Sequence, residues 1–273
     1  QDKLALITDN VTLKLLMDDA VDRSVPTPEN PKPEIDTQRH IAILPVHGSL
    51  VNKNGVGSSG VTSYENLRQQ VHDAIGDGIT DIIFDVSSCG GEASGCFPLT
   101  DFIASLPSKG IRTYGFTDSM AHSGGYAIIA SCQQIFATDI ATLGSIAALS
   151  TLVDVSKADE KAGVAYTIVR SKPQKALYNP HEGVSAEVVT KMEKMLRVLD
   201  DKFNESVIAY RSGKVTMETL DKLAGDIVTA SDALSIGLID GIVMGIEEVV
   251  GTIQATSQPA VNSVTRTKEV LKM

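Results

Sequence analysis

From residue 40 to about residue 140, short apolar runs alternate with longer segments of helical periodicity, and this alternation restricts the fold more than any other feature. "HIAILPVHG" has alternating apolar residues and reads as a strand, and "SYENLRQQVHDAIGDG" reads as a helix. "TDIIFDV" then reads as a buried strand, "EASGCFPLTDFIASL" as a helix and "GIRTYGF" as a strand. A short helix over 124–132 follows, and after it come the apolar runs "QQIFATD", "SIAALSTLVDV" and "AYTIVRS". Strand and helix in turn imply an α/β domain whose parallel or mixed sheet is covered by helices. The longest helical pattern, residues 185–210, starts at Ser185 without the glutamate of a full capping box. Its apolar positions suit packing on the sheet or on a neighbouring subunit.

The limits of that domain follow from the flanks. Residues 1–22 hold one amphipathic stretch, and "VPTPENPKPEIDTQ" then sets four prolines among polar residues. Proline fixes φ and donates no hydrogen bond, so residues 1–38 read as an N-terminal extension and linker. A compact domain is expected over 39–250, and the polar 251–273 reads as a flexible tail leading towards a further region. A chain of 273 residues, 42% of them apolar, supplies the core for such a domain.

Charge and composition exclude several classes. The net charge is -10 and no stretch offers the basic face that phosphate neutralisation needs, which excludes a nucleic-acid binder. No apolar run approaches the ~20 residues of a membrane span, and the N-terminus lacks a basic segment followed by an apolar one. The chain therefore reads as soluble and cytoplasmic. Its first residue, Gln1, is not methionine, which reads as a processed or shortened form. Cys89, Cys96 and Cys132 match neither a zinc site nor a disulfide framework and read as buried or incidental thiols.

Three stretches carry candidate chemistry. In "VSSCGGEASG", Gly90 and Gly91 lie where a strand meets a helix, so they read either as a tight turn or as a backbone N–H open to a ligand oxygen. In "DSMAHSGGYAIIASC", Ser123 is either the N-cap of a buried helix or a nucleophile whose oxyanion would meet the next N–H. A nucleophilic serine needs a base. His122 is a sequence neighbour whose side chain should diverge from Ser123. His40, His47, His72 and His181 stay open, although no aspartate pattern accompanies them and only His47 has apolar surroundings. Lysine is the other option when burial leaves it neutral, and "VRSKPQKALYNP" offers Lys172 and Lys175.

Taken together, these stretches resemble the signal peptide peptidase A-like serine peptidases, and most closely their phage branch, the lambda-type capsid assembly proteases. The resemblance runs from about His40 to Val250 through "IAILPVHGSLV", "DVSSCGGEASG", "AHSGGYAIIASC", "ATLGSIAAL", "VRSKPQKALYNP" and "TASDALSIGLIDGI". It implies a ClpP/crotonase-like spiral of repeated ββα units. Ser123 then matches the nucleophile, Lys175 the general base and Ser145 the serine that orients that lysine. Gly91 and Gly124 match the oxyanion hole through their backbone N–H groups, and no metal or other cofactor is implied. Two departures stand out: Ser88-Cys89 precede the glycines where relatives commonly carry proline, and Ala147 stands where glycine is usual.

The function the resemblance implies is a serine endopeptidase with a Ser/Lys dyad that cleaves scaffold and capsid proteins during phage head maturation. Implied with it are peptide and protein substrates, self-processing, a homo-oligomeric ring, and a location in the host cytoplasm within the immature capsid. Two readings compete: a cellular signal-peptide-peptidase-like protease that degrades membrane-released or misfolded peptides, and a catalytically silent assembly or scaffold module. Acyl-CoA hydratases and isomerases also use a Gly-Gly oxyanion hole, but they work through glutamates, and Glu92 is the only one near these motifs.

Overall fold

In the computed structural model, residues 5–6, 31–53 and 60–257 are described. The first strands are β1 (Ala5–Leu6), β2 (Glu34–Asp36), β3 (Ile41–Val51) and β4 (Val61–Ser63). Helix α1 (Tyr64–Gly76) begins at Ser63, whose hydroxyl accepts from the N–H of Asn66. It buries Tyr64, Leu67, Val71 and Ala74, the three-and-four spacing of one helical face. Strand β5 (Asp81–Glu92) follows, with Ile82, Ile83, Phe84 and Val86 all buried. Such a continuous run belongs to a strand covered on both faces. Parallel neighbours lie on either side of it, β3 and β6 (Arg112–Thr117), and helix α2 (Cys96–Ser105) connects β5 to β6.

The next elements come in pairs of strands. β6 joins the main sheet, and the short β7 (Met120–His122) leaves it to pair with β5 at Ser88 in a second layer. Helix α3 (Gly124–Ala130) closes this ββα unit, and all seven of its residues are buried. β8 (Gln134–Ala137) then lies parallel to β6, and β9 (Thr142–Gly144) lies parallel to β7, so the same step is repeated one strand further on. This is the α/β spiral of ββα units.

A segment with little regular structure follows, holding α4 (Ser156–Ala162). α5 (Ala186–Tyr210) is capped by Ser185, whose hydroxyl accepts from the N–H of Val188. Then come α6 (Met217–Leu223), β10 (Ile227–Thr229, antiparallel to β9), α7 (Ala230–Ser235), β11 (Gly241–Ile242, parallel to β8) and α8 (Ile246–Ser257). Among the described residues, no helix is long and apolar enough to cross a membrane.

Two apolar clusters hold the layers together. The larger packs α1, α2, α3 and α5 against the face of the sheet bearing Leu44, Val46, Phe84 and Val86. The smaller joins Ile41, Ile83, Tyr114 and Phe116, on the opposite face, to Val249 and Ile253 of α8. Each fully buried aliphatic or aromatic side chain contributes roughly 1.5–3 kcal/mol. α3 approaches β6 closely because Gly115 has no side chain: a Cβ there would stand 2.5 Å from Ile129 Cβ.

The structure differs from the sequence expectations in three places. Glu34–Asp36, within the proline-rich stretch, is a strand antiparallel to β3. α8 runs on to Ser257, so part of the expected tail is helical, and residues 258–273 lie outside the described residues, as do most of residues 1–30. Of the runs "SIAALSTLVDV" and "AYTIVRS", residues 151–155 and 165–171 form neither strand nor helix. Val153, Tyr166 and Val169 of these runs stay exposed, as does the neighbouring Val164.

Candidate active site

Ser123 stands where β7 passes into α3, with φ 53 and ψ -120, a left-handed value that costs a non-glycine residue of order 1–3 kcal/mol. Its hydroxyl does not cap the helix, and the residue is only 1% exposed. The N-cap interpretation of this serine is therefore set aside, because a capping serine has extended backbone and a side chain turned onto its own helix. The backbone is held instead. Ser123 N–H donates to the carbonyl of Gly144 at 2.9 Å, and its carbonyl accepts from the N–H of Ala127 at 2.9 Å.

The Gly90-Gly91 turn lies against this serine's helix. A Cβ built on Gly124 would stand 3.7 Å from the amide nitrogen of Gly91 and 3.0 Å from Tyr64 Oη, so the backbones of the two glycines adjoin beside Ser123. Gly91 can only be glycine, because a Cβ there would meet the carbonyl oxygen of Leu50 at 1.9 Å. Ser88 shapes the turn. Its hydroxyl donates to the carbonyl of Gly48 at 2.6 Å and accepts from the N–H of Gly90 at 3.1 Å, which commits that N–H inside the protein. Tyr64 donates to the carbonyl of Glu92 at 2.9 Å, and burial pushes its pKa well up, so it remains a neutral donor.

Ser145 is buried and repeats the φ of Ser123, at 53. Its N–H donates to the carbonyl of Asp226 at 2.9 Å, and Gly144 must be glycine because a Cβ would strike that same oxygen at 2.5 Å. Ala147, the second departure, faces Gly225, where an added Cβ would stand 3.0 Å from its methyl group.

Lys175 is exposed, in a turn closed by its own N–H donating to Lys172 at 3.0 Å, and Lys172 is exposed too. Among the described residues, Lys175 Nζ has no hydrogen-bond or ion-pair partner, so the single chain brings Ser123 and Ser145 together but not Lys175.

The histidines correct one expectation. Two of them do have aspartate partners: His47 Nε2 is 3.3 Å from Asp85 Oδ2, and His181 Nδ1 is 2.8 Å from Asp159 Oδ2. Strand alternation puts His47 and Asp85 on the face of Ile41 and Ile83, opposite the face that packs α3. His122 is turned onto Thr142 Oγ1 at 2.9 Å, and burial lowers its pKa. Glu92 accepts the N–H of Asn52 at 3.0 Å. Cys96 and Cys132 are buried free thiols, their pKa raised by burial, that of Cys96 to about 12.

Sequence reasoning missed the roles of Ser88 and Tyr64. A hydroxyl two residues before a glycine is the local signal of a side-chain turn at Ser88. Tyr64 reaches the site only through the packing of α1 on β3, and nothing in its neighbourhood signals it.

A buried, strained serine thus heads a helix beside a glycine turn. The sequence model for peptidase family S49 matches residues 106–258, more than half of the chain, and the chain belongs to that family. It is 28% identical over 207 residues to the capsid assembly protease C of Escherichia phage lambda, covering 74% of this chain and 46% of that protein. It is 27% identical over 212 residues to the head-tail preconnector protein GP5 of Enterobacteria phage P21, covering 72% of this chain and 42% of that protein. A putative signal peptide peptidase of Enterococcus faecium is 27% identical over 161 residues, 59% of this chain and 46% of that one. The chain thus spans less than half the length of these relatives. Among solved structures, the ClpP protease catalytic domain of Plasmodium falciparum gives a TM-score of 0.48 at 13% identity, covering 77% of this chain and 88% of that one.

Proposed function

We propose that the chain is a serine endopeptidase in which Ser123 is the nucleophile, Lys175 the general base, Ser145 the residue that orients the lysine, and the N–H groups of Gly91 and Gly124 the oxyanion hole. The observation that carries this reading is the buried Ser123 in a strained backbone beside Gly124 and Gly91, of which Gly91 has no room for a side chain. In the mechanism, neutral Lys175 takes the Ser123 proton as Oγ attacks the peptide carbonyl carbon. The oxyanion rests on the two N–H groups. The C–N bond breaks as the lysine gives its proton to the leaving amine, and water, deprotonated by the same lysine, hydrolyses the acyl ester.

Burial favours the neutral form that a lysine base needs, and Lys175 is exposed, so the reading calls for a surface that covers it. Exposed Val164, Tyr166 and Val169 lie on the same segment, and a second copy of the chain packed on them would bury the lysine beside a neighbour's Ser123. A peptide backbone also has a place to lie. Leu6 and Ala5 pair antiparallel with Gly91 and Glu92 on the edge of β5 opposite Leu50, beside the candidate oxyanion hole. Extended substrates would add a strand at that edge.

The phage lambda relative, named a capsid assembly protease, makes scaffold and capsid proteins the substrate class we favour, cleaved inside the immature capsid. The test compares cleavage of flexible protein substrates by wild type, Ser123→Ala and Lys175→Ala, all folded. Loss of cleavage in both variants supports the dyad, and activity in Lys175→Ala overturns it.

A further inference from the structure

Lys175 lies in a stretch with almost no regular structure, so something other than a helix or sheet must fix where its side chain begins. That role falls to one guanidinium. Arg170 Nε donates to the carbonyl of Lys175 at 2.6 Å, and Nη2 donates to the carbonyl of Ala176 at 3.3 Å. Its far side meets Glu182, with Nη1 3.1 Å from Oε1 and Nη2 in close contact with Oε2. The planar fork of arginine thus grips two successive carbonyls with one edge and a carboxylate with the other, a geometry that a lysine ammonium cannot reproduce. The grip coincides with strain: Ala176 has φ 55, a left-handed value for a residue with a Cβ. On the other side of Lys175, Gln174 Nε2 donates to Glu187 Oε1 at 3.2 Å in the first turn of α5. The Arg170 side chain is half-buried and that of Glu182 is exposed.

We infer that Arg170, held flat by Glu182, is a positioning residue that presents Lys175 to the reacting serine. The inference rests on Lys175 being the base. A displacement of about 1 Å in a reacting group costs up to ~10²-fold in rate, so removing the clamp should act on turnover rather than on substrate binding.

The experiment measures kcat, KM and the pH profile of kcat/KM on a peptide substrate for wild type, Arg170→Gln, Arg170→Lys, Glu182→Gln and Lys175→Ala. Melting curves are recorded for each variant. Arg170→Gln should lower kcat by ~10²-fold with KM within about twofold, and its acid limb should move to higher pH as the lysine leaves the cover that a packed second copy would give it. Arg170→Lys should recover only part of the loss, and Glu182→Gln should shift the acid limb the same way to a smaller extent. If Arg170→Gln does not fold, Glu182→Gln decides by the same readouts. An inactive Lys175→Ala beside Arg170 and Glu182 variants of wild-type turnover would overturn the inference while leaving the dyad standing. A lowered kcat with an unmoved acid limb and a lower melting temperature would overturn it as well, since that is a structural effect alone. Activity in Lys175→Ala would remove the base, and the inference with it.

Discussion

The N–H of Ser123 is bonded to the carbonyl of Gly144 at 2.9 Å, so Ser123 and Ser145, far apart in the chain, are held one peptide unit apart with the same left-handed φ of 53. Two strained non-glycine residues joined in this way hold a pair of hydroxyl-bearing side chains in one buried place. Strain concentrated like this is characteristic of a site kept for function rather than stability.

Relieving one strain should therefore separate stability from activity. Ser123→Gly is expected to raise the unfolding free energy by about 1 kcal/mol, because glycine adopts positive φ without cost, while cleavage falls ~10⁴-fold or more. Thermal unfolding and a peptide cleavage assay check the two halves. A destabilised Ser123→Gly would mean that the serine side chain contributes more to packing than to chemistry.

Mixing two inactive variants tests whether the site is shared between copies. If Lys175 acts on a neighbour's Ser123, equal amounts of Ser123→Ala and Lys175→Ala, unfolded and refolded together, should regain about a quarter of wild-type cleavage by random pairing. A mixture as inert as its components would place the base within the same chain.

The pairing of Ala5 and Leu6 with Glu92 and Gly91 leads to a prediction about substrate binding. Removing residues 1–6 should lower KM for an extended peptide several-fold with little change in kcat, because a competing strand has been taken away. An unchanged KM would show that substrates use a different edge.

Close approach at Gly115 is a matter of packing alone. Gly115→Ala, whose Cβ would meet Ile129 Cβ at 2.5 Å, should cost about 1–3 kcal/mol in a denaturant titration and leave KM unaltered in whatever folds.

The buried pair Arg211 and Asp240 sets the acid limit of stability. Burial alone would raise the pKa of Asp240, but hydrogen bonds from Arg211, both at 2.8 Å, and from Lys214 hold it below the ordinary value. Because the folded pKa is depressed, this stabilisation is full above the unfolded carboxylate pKa of about 3.9 and is lost as pH falls through the lower folded value. Melting temperature should drop as pH falls below about 4 in wild type. Asp240→Asn should flatten that fall and cost about 3–5 kcal/mol at neutral pH, since it leaves buried Arg211 unpaired.

Local patterns in the chain were enough to determine the α/β alternation, the buried β5 and helices at 64–76 and 124–130, and they marked Ser123 and the paired glycines as candidates only. Each of these depends on neighbours in sequence: apolar period, capping residues and the need for glycine at a tight turn. Tertiary structure alone decided the rest. Whether Ser123 caps a helix or is strained beside Gly91 depends on Gly144 and Leu50, contacts that arise only when β9 and β3 pack around it. The aspartates that partner His47 and His181 lie 38 and 22 residues away, so no local pattern could reveal them. The runs at 151–155 and 165–171 have apolar residues enough for strands, yet a strand forms only where its backbone pairs with another, and among the described residues these runs pair with none. Lys175 carries the clearest lesson: residue type marks a candidate base, but only its surroundings set its charge, and in a single chain those surroundings are solvent.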